Sequence, residues 1–422
     1  MVNKLYNTRI YKVDSSFNGL LQFVVDISIF VYVTSIYVMS YNATFNIISR
    51  ALALLLIALL GLYTLVNKTF RFSALFIYFG LFVFFGICSC LWAVDQSKSL
   101  SSSFTIAQIF VLISLLYNYI AREKKTNYLL FVLSMAGTIF AIYTIAYFGL
   151  EDYIAGIEDG LRVGSEINNL NAIGMMCAGT CILNVWQVFF EKKYYYVVFA
   201  IICFFVALGS GSRTAIVGLL IAIVLLFILK GDSYKKIKSI IQLAVVLWVL
   251  YAILKLPAFE NFMLRFEQMI NGILGKGNVD NSSTIRLEMI RVGFETFFEN
   301  PIIGIGIGNS HIITAEHFAG LETYLHNNYI ELLATTGIAG TLLYYMLFII
   351  PAVKMIKPAL EQNKLAILSE VILALNLVFH IGTVDYYNKV SYMYLLLVWL
   401  CLPMILSKRG YNEKNNQGTE AS

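Results

Sequence analysis

Leu325 to Gly340 reads LHNNYIELLATTGIAG. A polar loop runs here into an apolar stretch that continues to Ala352. At helical spacing His326, Asn327, Asn328 and Glu331 fall within about one and a half turns. Gly337 and Gly340 follow along the same segment. A histidine, two amides and a carboxylate therefore stand where an apolar helix meets water.

The rest of the chain is of the same kind. Of 422 residues, 59% are hydrophobic and only 13% charged, about half the ~25% charged content of soluble domains. The apolar residues fall in runs of roughly 20, the length a helix needs to cross a bilayer. The expected fold is an all-α integral membrane protein with twelve spanning helices. They lie near 19–40, 48–66, 73–94, 104–121, 128–149, 169–190, 194–209, 214–230, 239–257, 325–353, 365–383 and 391–407. Residues 1–257 then hold spans one to nine and 258–324 a large loop carrying part of the site. Residues 325–407 hold spans ten to twelve, and 408–422 a polar tail expected to be disordered. The first run, Gly19 to Met39, is too long for a signal peptide and lacks a small-residue cleavage site, so it reads as a first span.

Charge sets the expected sidedness. With the N-terminus inside, the loops on that side carry twenty of the thirty Lys and Arg residues, from Lys4, Arg9 and Lys12 to Lys408, Arg409 and Lys414. By the positive-inside rule both termini are then cytoplasmic. Ten basic residues run against the rule, among them Arg162, Arg213, Arg286 and Arg291. Arg213 sits in GSGSRTAIVG between two closely spaced segments. An arginine there has to face protein, water or an anion, or snorkel to the interface.

Two stretches on the outer side are longer than turns. Gly149 to Asn168 is acidic, carries Arg162, and runs into the asparagines Asn168, Asn169 and Asn171. In the second, Pro257 to Tyr324, SSTIRLEMIRVGFETFFENP reads as an amphipathic helix. Its N-cap would be Ser282, Ser283 or Thr284, and Glu299-Asn300-Pro301 would stop it. Arg291 is placed to pair with Glu295, four residues on. The glycine-alternating IIGIGIGNS that follows reads as a tight loop, because GxGxG outside a strand–helix unit is weak evidence of a phosphate cradle. His311 and His317 are six apart, outside the spacing of a helical ligand pair. Neither they nor the six cysteines, all inside apolar runs, call for a metal. His380, also in an apolar run, reads as a packing histidine.

The remaining groups form one chemistry. Arginines offer permanent charge and bidentate contacts to phosphate. A neutral histidine takes a proton near pH 7, with Asn327 or Glu331 placed to orient its ring. At an outer membrane surface these groups suit a lipid-linked diphosphate, whose departing charge arginines stabilise without metal or nucleotide. No cofactor and no nucleic acid is expected.

Four segments in order resemble the O-antigen ligase and polysaccharide polymerase (Wzy-type) family of bacterial membrane glycosyltransferases. They are LWAVDQSKSL (Leu91 to Leu100), GSRTA (Gly211 to Ala215), STIRLEMIRVGFETFFENPIIGIGIGNS (Ser283 to Ser310) and LHNNYIELLATTGIAG. One departure is Ile290, where that family often has tryptophan. The resemblance implies an inverting transfer of a glycan from undecaprenyl diphosphate. His326 would be catalytic, Arg213 and Arg286 would bind the diphosphate, and Arg162 would match more loosely. The acceptor would be a lipid A-core or a second lipid-linked repeat unit, giving O-antigen, capsule or exopolysaccharide. The site would face outward from the bacterial cytoplasmic (inner) membrane, with flippase and chain-length regulator proteins as further partners. Two other readings stay open: a lipid-linked oligosaccharide flippase, and a peptidoglycan-type polymerase. A flippase would carry inverted repeats and charges near the midplane, whereas here the polar residues gather on one face.

Overall fold

The computed structural model describes residues 15–39, 43–68, 70–231, 233–273 and 281–420. Lys4, Arg9, Lys12 and Lys276 lie outside them. The described residues form sixteen α-helices and no strand. The first eight are α1 (Ser15–Val38), α2 (Ala43–Asn67), α3 (Ala74–Ser89), α4 (Gln96–Glu123), α5 (Thr126–Phe148), α6 (Leu150–Glu158), α7 (Leu170–Glu191) and α8 (Tyr196–Gly209). The others are α9 (Arg213–Leu229), α10 (Ser233–Leu254), α11 (Glu260–Ile273), α12 (Asn281–Glu299), α13 (Ser310–His317), α14 (Asn328–Leu360), α15 (Lys364–Phe379) and α16 (Lys389–Glu420). The stretch from 408, expected as a disordered tail, continues as α16 backbone to Glu420.

Among the described residues, eight helices are long and apolar enough to cross a bilayer: α1, α2, α4, α5, α7, α10, α14 and α16. The other four expected spans are the shorter helices α3, α8, α9 and α15, of 16, 14, 17 and 16 residues. At 1.5 Å per residue these rise about 21–26 Å, less than the ~30 Å hydrocarbon thickness. Three of them have a terminus at turns near the site: α3 ends before Cys90, α9 begins at Arg213, and α15 ends before His380. Leu54, Leu55 and Leu65 of α2, and Ile240, Val245 and Trp248 of α10, are exposed. Exposed apolar helix faces of this kind suit a bilayer environment.

The end of the bundle away from the LHNNY stretch is laced by basic residues. Arg122 Nη2 donates to Asn67 Oδ1 at 2.9 Å, and Lys125 Nζ to Asp26 Oδ2 at 2.7 Å. Lys364 Nζ donates to the Phe190 carbonyl at 2.9 Å. Cys177, Cys181, Cys203 and Cys401 are buried, whereas Cys88 and Cys90 are half-buried; all six are free.

The glycine-rich strip does more than turn. α14 is interrupted at Gly337, whose φ of 61° and ψ of −169° are not helical. The break frees the carbonyls of Ala334 and Thr335 and the amides of Ile338 and Ala339. Residues 301–306 take up all four. Ile305 N donates to Ala334 O at 3.2 Å and Gly306 N to Thr335 O at 2.9 Å. Ile338 N donates to Pro301 O at 2.9 Å and Ala339 N to Ile302 O at 3.1 Å. A turn-rich segment is thus spliced into a helix, and the four backbone groups named find partners in it, as a low-dielectric setting favours. Only glycine permits the approach. A Cβ on Gly304 would lie 2.4 Å from the Thr335 carbonyl carbon, and one on Gly337 2.3 Å from that of Ile302.

Candidate active site

The strip also anchors the turn between α3 and α4. Val94 N donates to Ile305 O at 3.2 Å, and Trp92 Nε1 to Ile303 O at 3.3 Å. Asn309 closes a two-way clasp with Asp95: Asp95 N donates to Asn309 Oδ1 at 2.6 Å, and Asn309 Nδ2 to Asp95 O at 3.3 Å. Above this joint a small apolar core unites the outer helices, with Met289 and Val292 from α12, Ile313 from α13, and Leu325, Ile330 and Ala334 around the start of α14. Ile290 packs at its edge, so the departure from tryptophan there is met by packing. Gly293 lets α12 approach closely, since a Cβ would stand 2.3 Å from Ile330 Cγ2. Arg291 pairs with Glu295 at 2.5 Å as its spacing predicts, and also with Glu288.

His326 sits on this core in a backbone conformation unusual for its type, with φ of +53°. Left-handed φ at a non-glycine residue is disfavoured and has to be held by its surroundings. Both flanks are held. The Leu325 amide donates to Glu331 Oε2 at 2.9 Å, and Ser310 Oγ donates to Glu331 Oε1 at 2.5 Å. Asn327 Oδ1 caps α14 by accepting from the amides of Tyr329 and Ile330 at 3.0 and 3.1 Å, while its Nδ2 donates to Ile381 O at 3.3 Å. Asn328 N donates to His380 O at 2.8 Å, and Asn328 Oδ1 accepts from the amides of Asp385 and Tyr386.

Asn327 and Glu331 therefore fix the chain on either side of His326 rather than its ring. The ring is half-buried, not freely water-facing, with the Tyr324 ring tilted against it at 4.2 Å between centroids and 43° between planes. Its Nδ1 is buried and has no hydrogen-bond partner among the described residues. Burial, and then the charge of Arg286, push its pKa down to about 4. An imidazole in that setting is neutral at pH 7 and able to accept a proton.

The arginines converge from two elements. Ser212 caps α9, accepting from Ala215 N at 3.4 Å, and starts Arg213 in the first turn. Arg213 Nη2 donates to Ser283 Oγ at 3.2 Å, in the first turn of α12. Arg286, three residues further on, acts electrostatically on both His326 and Tyr324. Arg162 stands behind them. Its Nε donates to Ser210 O at 2.9 Å and its Nη2 to Asn171 Oδ1 at 3.0 Å, and its side chain packs on Gly211, where a Cβ would meet its Cγ at 2.8 Å. It braces the turn that presents Arg213.

His380 is fully buried among Tyr329, Tyr344, Tyr345 and Phe348, a packing histidine as its run implies. Three contributors were not legible as site residues in the sequence. Ser283 reads there as a cap and Tyr324 as a loop boundary, and Asp385 is not singled out at all. Asp385 is buried beneath the site, its pKa raised by burial to about 6. A carboxylate flanked by Thr383, Tyr386 and Asn388, between two apolar runs, was the available signal.

Residues 198–345 match the family model for O-antigen ligase (Wzy_C). The match takes in Arg213, Arg286, His326 and the glycine strip; Arg162 and Asp95 lie outside it. No curated protein matches the chain.

Proposed function

We propose, from a chain of the O-antigen ligase (Wzy-type) family, that this membrane protein transfers a glycan from undecaprenyl diphosphate to an acceptor hydroxyl at the outer face of the bacterial cytoplasmic membrane. The observation that carries the reading is the placement of Arg286 beside a neutral, half-buried His326, with Arg213 tied to the start of the same helix through Ser283. The charge of Arg286 acts on the proton acceptor, and Arg213 is joined to the helix that carries Arg286, which supports the reading.

In the proposed step the acceptor oxygen attacks the anomeric carbon from the face opposite the diphosphate. The new C–O bond forms as the bond to the diphosphate oxygen breaks with inversion. The acceptor's proton passes to the His326 imidazole, and the electron pair leaves on undecaprenyl diphosphate. Arg213 and Arg286 stabilise that departing charge through guanidinium forks matched to phosphate. Arg162 supports the turn bearing Arg213. The step uses no nucleotide and no metal. The basic residues collected at the opposite end of the bundle support a cytoplasmic location for that end, which leaves the site outside.

Purified protein in nanodiscs, given a lipid-linked repeat unit with EDTA and no nucleotide, tests the reading. A ladder of longer lipid-linked glycans assigns a polymerase. Transfer only after a lipid A-core is added assigns a ligase. Absence of transfer together with movement of the lipid across liposomes would replace the proposal with a flippase.

A further inference from the structure

Beside His326 opens a cleft of about 1220 Å³, including its open mouth, that the transfer step leaves unassigned. Its walls come from three distant parts of the chain: the start of α4, the α12–α14 connection and the α15–α16 loop. Asp95 and His311 face each other on one side, Nε2 to Oδ2 at 3.4 Å. Lys98 and Ser101 lie along the α4 wall, Glu322 at the loop edge, and Tyr387 opposite. Tyr324 is shared, for it lines the cleft and its ring lies tilted against the imidazole at 4.2 Å between centroids.

We propose that this cleft is the acceptor subsite and that it holds the terminal sugar of an uncharged or amino-sugar glycan in preference to a phosphorylated one. The inference rests on the glycosyl-transfer reading and deepens it. Two tyrosines offer flat amphipathic faces, and hydroxyls, carboxylates and an imidazole offer convergent hydrogen-bond partners, as suits a polyhydroxylated ring. A ligand filling the cleft therefore touches a residue that is itself in ring contact with the base. The charge balance carries the selectivity. The carboxyl groups of Asp95, Glu322 and Glu331 are set against the ammonium of Lys98. Asp95 is held below its ordinary pKa first by the Lys98 backbone N–H and further by His311, so it stays ionised at neutral pH. A phosphate placed among these groups would meet net repulsion, whereas the donor's diphosphate has its own arginines outside this cleft.

The test needs neither donor nor turnover. Labelled full-length protein in nanodiscs is passed over an array of neutral, amino-sugar and phosphorylated oligosaccharides. Retention by neutral or amino-sugar glycans is expected, at least ten-fold above their phosphorylated counterparts. Ser101→Trp, which fills the cleft from an exposed position, and Asp95→Asn, which keeps a helix-capping side chain, should each weaken retention ten-fold or more. Glu322→Lys should shift preference toward phosphorylated glycans, and Arg213→Lys should leave retention within two-fold. Retention of no glycan, a preference for phosphorylated ones, or equal retention by Ser101→Trp would overturn the assignment. Failure of the transfer reading shows instead in the lipid-linked repeat assay, whatever the array reports.

Discussion

The carbonyl of Ile302 accepts the amide of Ala339 at 3.1 Å across the break that Gly337 makes in α14. That contact joins the loop carrying Arg286 to the helix that follows His326. The site's geometry therefore depends on two glycines that perform no chemistry.

Gly337→Ala and Gly304→Ala should both destabilise the protein. Each position has positive φ, and a Cβ added there would meet backbone atoms within 2.6 Å. Conformational strain of about 1–3 kcal/mol is therefore compounded by a collision that flexible side chains cannot relieve. Gly61→Ala, with nothing within 4 Å, is the matched control. Thermal unfolding followed by fluorescence-detected gel filtration should separate them, and equal midpoints for all three would contradict the splice.

His326→Asn should remove turnover while keeping the fold. Asparagine tolerates left-handed φ better than most residues, whereas His326→Ala retains the strain without the ring. Loss of a general base costs about 10²–10⁴ in rate. Transfer within ten-fold of wild type, in protein that still binds undecaprenyl diphosphate, would remove His326 from the role of base.

Activity should persist into mild acid. An imidazole must be neutral to take a proton, and burial followed by Arg286 pushes His326 down to about 4. The acid limb of kcat/KM for the free enzyme should thus lie near 4 rather than at the ordinary value of about 6.5. Arg286→Gln removes the smaller cause, so the limb should rise yet stay below 6.5. The sign for stability follows from the same depression: the unfolded chain binds the proton first, so this group's contribution is lost as pH falls from 6.5 toward 4. A limb at 6.5 or above in wild type would point to a solvated histidine or another base.

Arg213→Lys and Ser283→Ala should both act on the donor. Lysine keeps the charge but loses the planar fork that reaches Ser283, and Ser283→Ala frees the guanidinium from α12. We expect KM for the lipid-linked donor to rise ten-fold or more in Arg213→Lys and a few-fold in Ser283→Ala, with little change for the acceptor. Unchanged donor KM in Arg213→Lys would exclude Arg213 from the diphosphate site.

Much of this protein was legible in the residues themselves. Apolar runs specify membrane helices because an unpaired backbone in lipid is costly, and that rule is local. The Arg291–Glu295 pair and the packing role of His380 follow from residue type and short spacing, as does the attention drawn to Arg213 and His326; the diphosphate roles of Arg213 and Arg286 are what the family resemblance implies. What only the tertiary structure decided lies between residues far apart in the chain. Sequence spacing placed Asn327 and Glu331 near the imidazole, but hydrogen bonds to Leu325, Tyr329, Ile330 and Ile381 show them holding its backbone. Glycine alternation at 304–308 signals a turn, whereas its reason is a four-bond splice into α14 that no local pattern encodes. Asp95 and His311 stand 216 positions apart and meet because that splice carries the α3–α4 turn to the start of α13. Hydrophobicity and helix propensity act over a few residues and are written along the chain. The pairing of freed backbone groups, and the burial that sets a histidine's proton affinity, exist only once distant segments have packed.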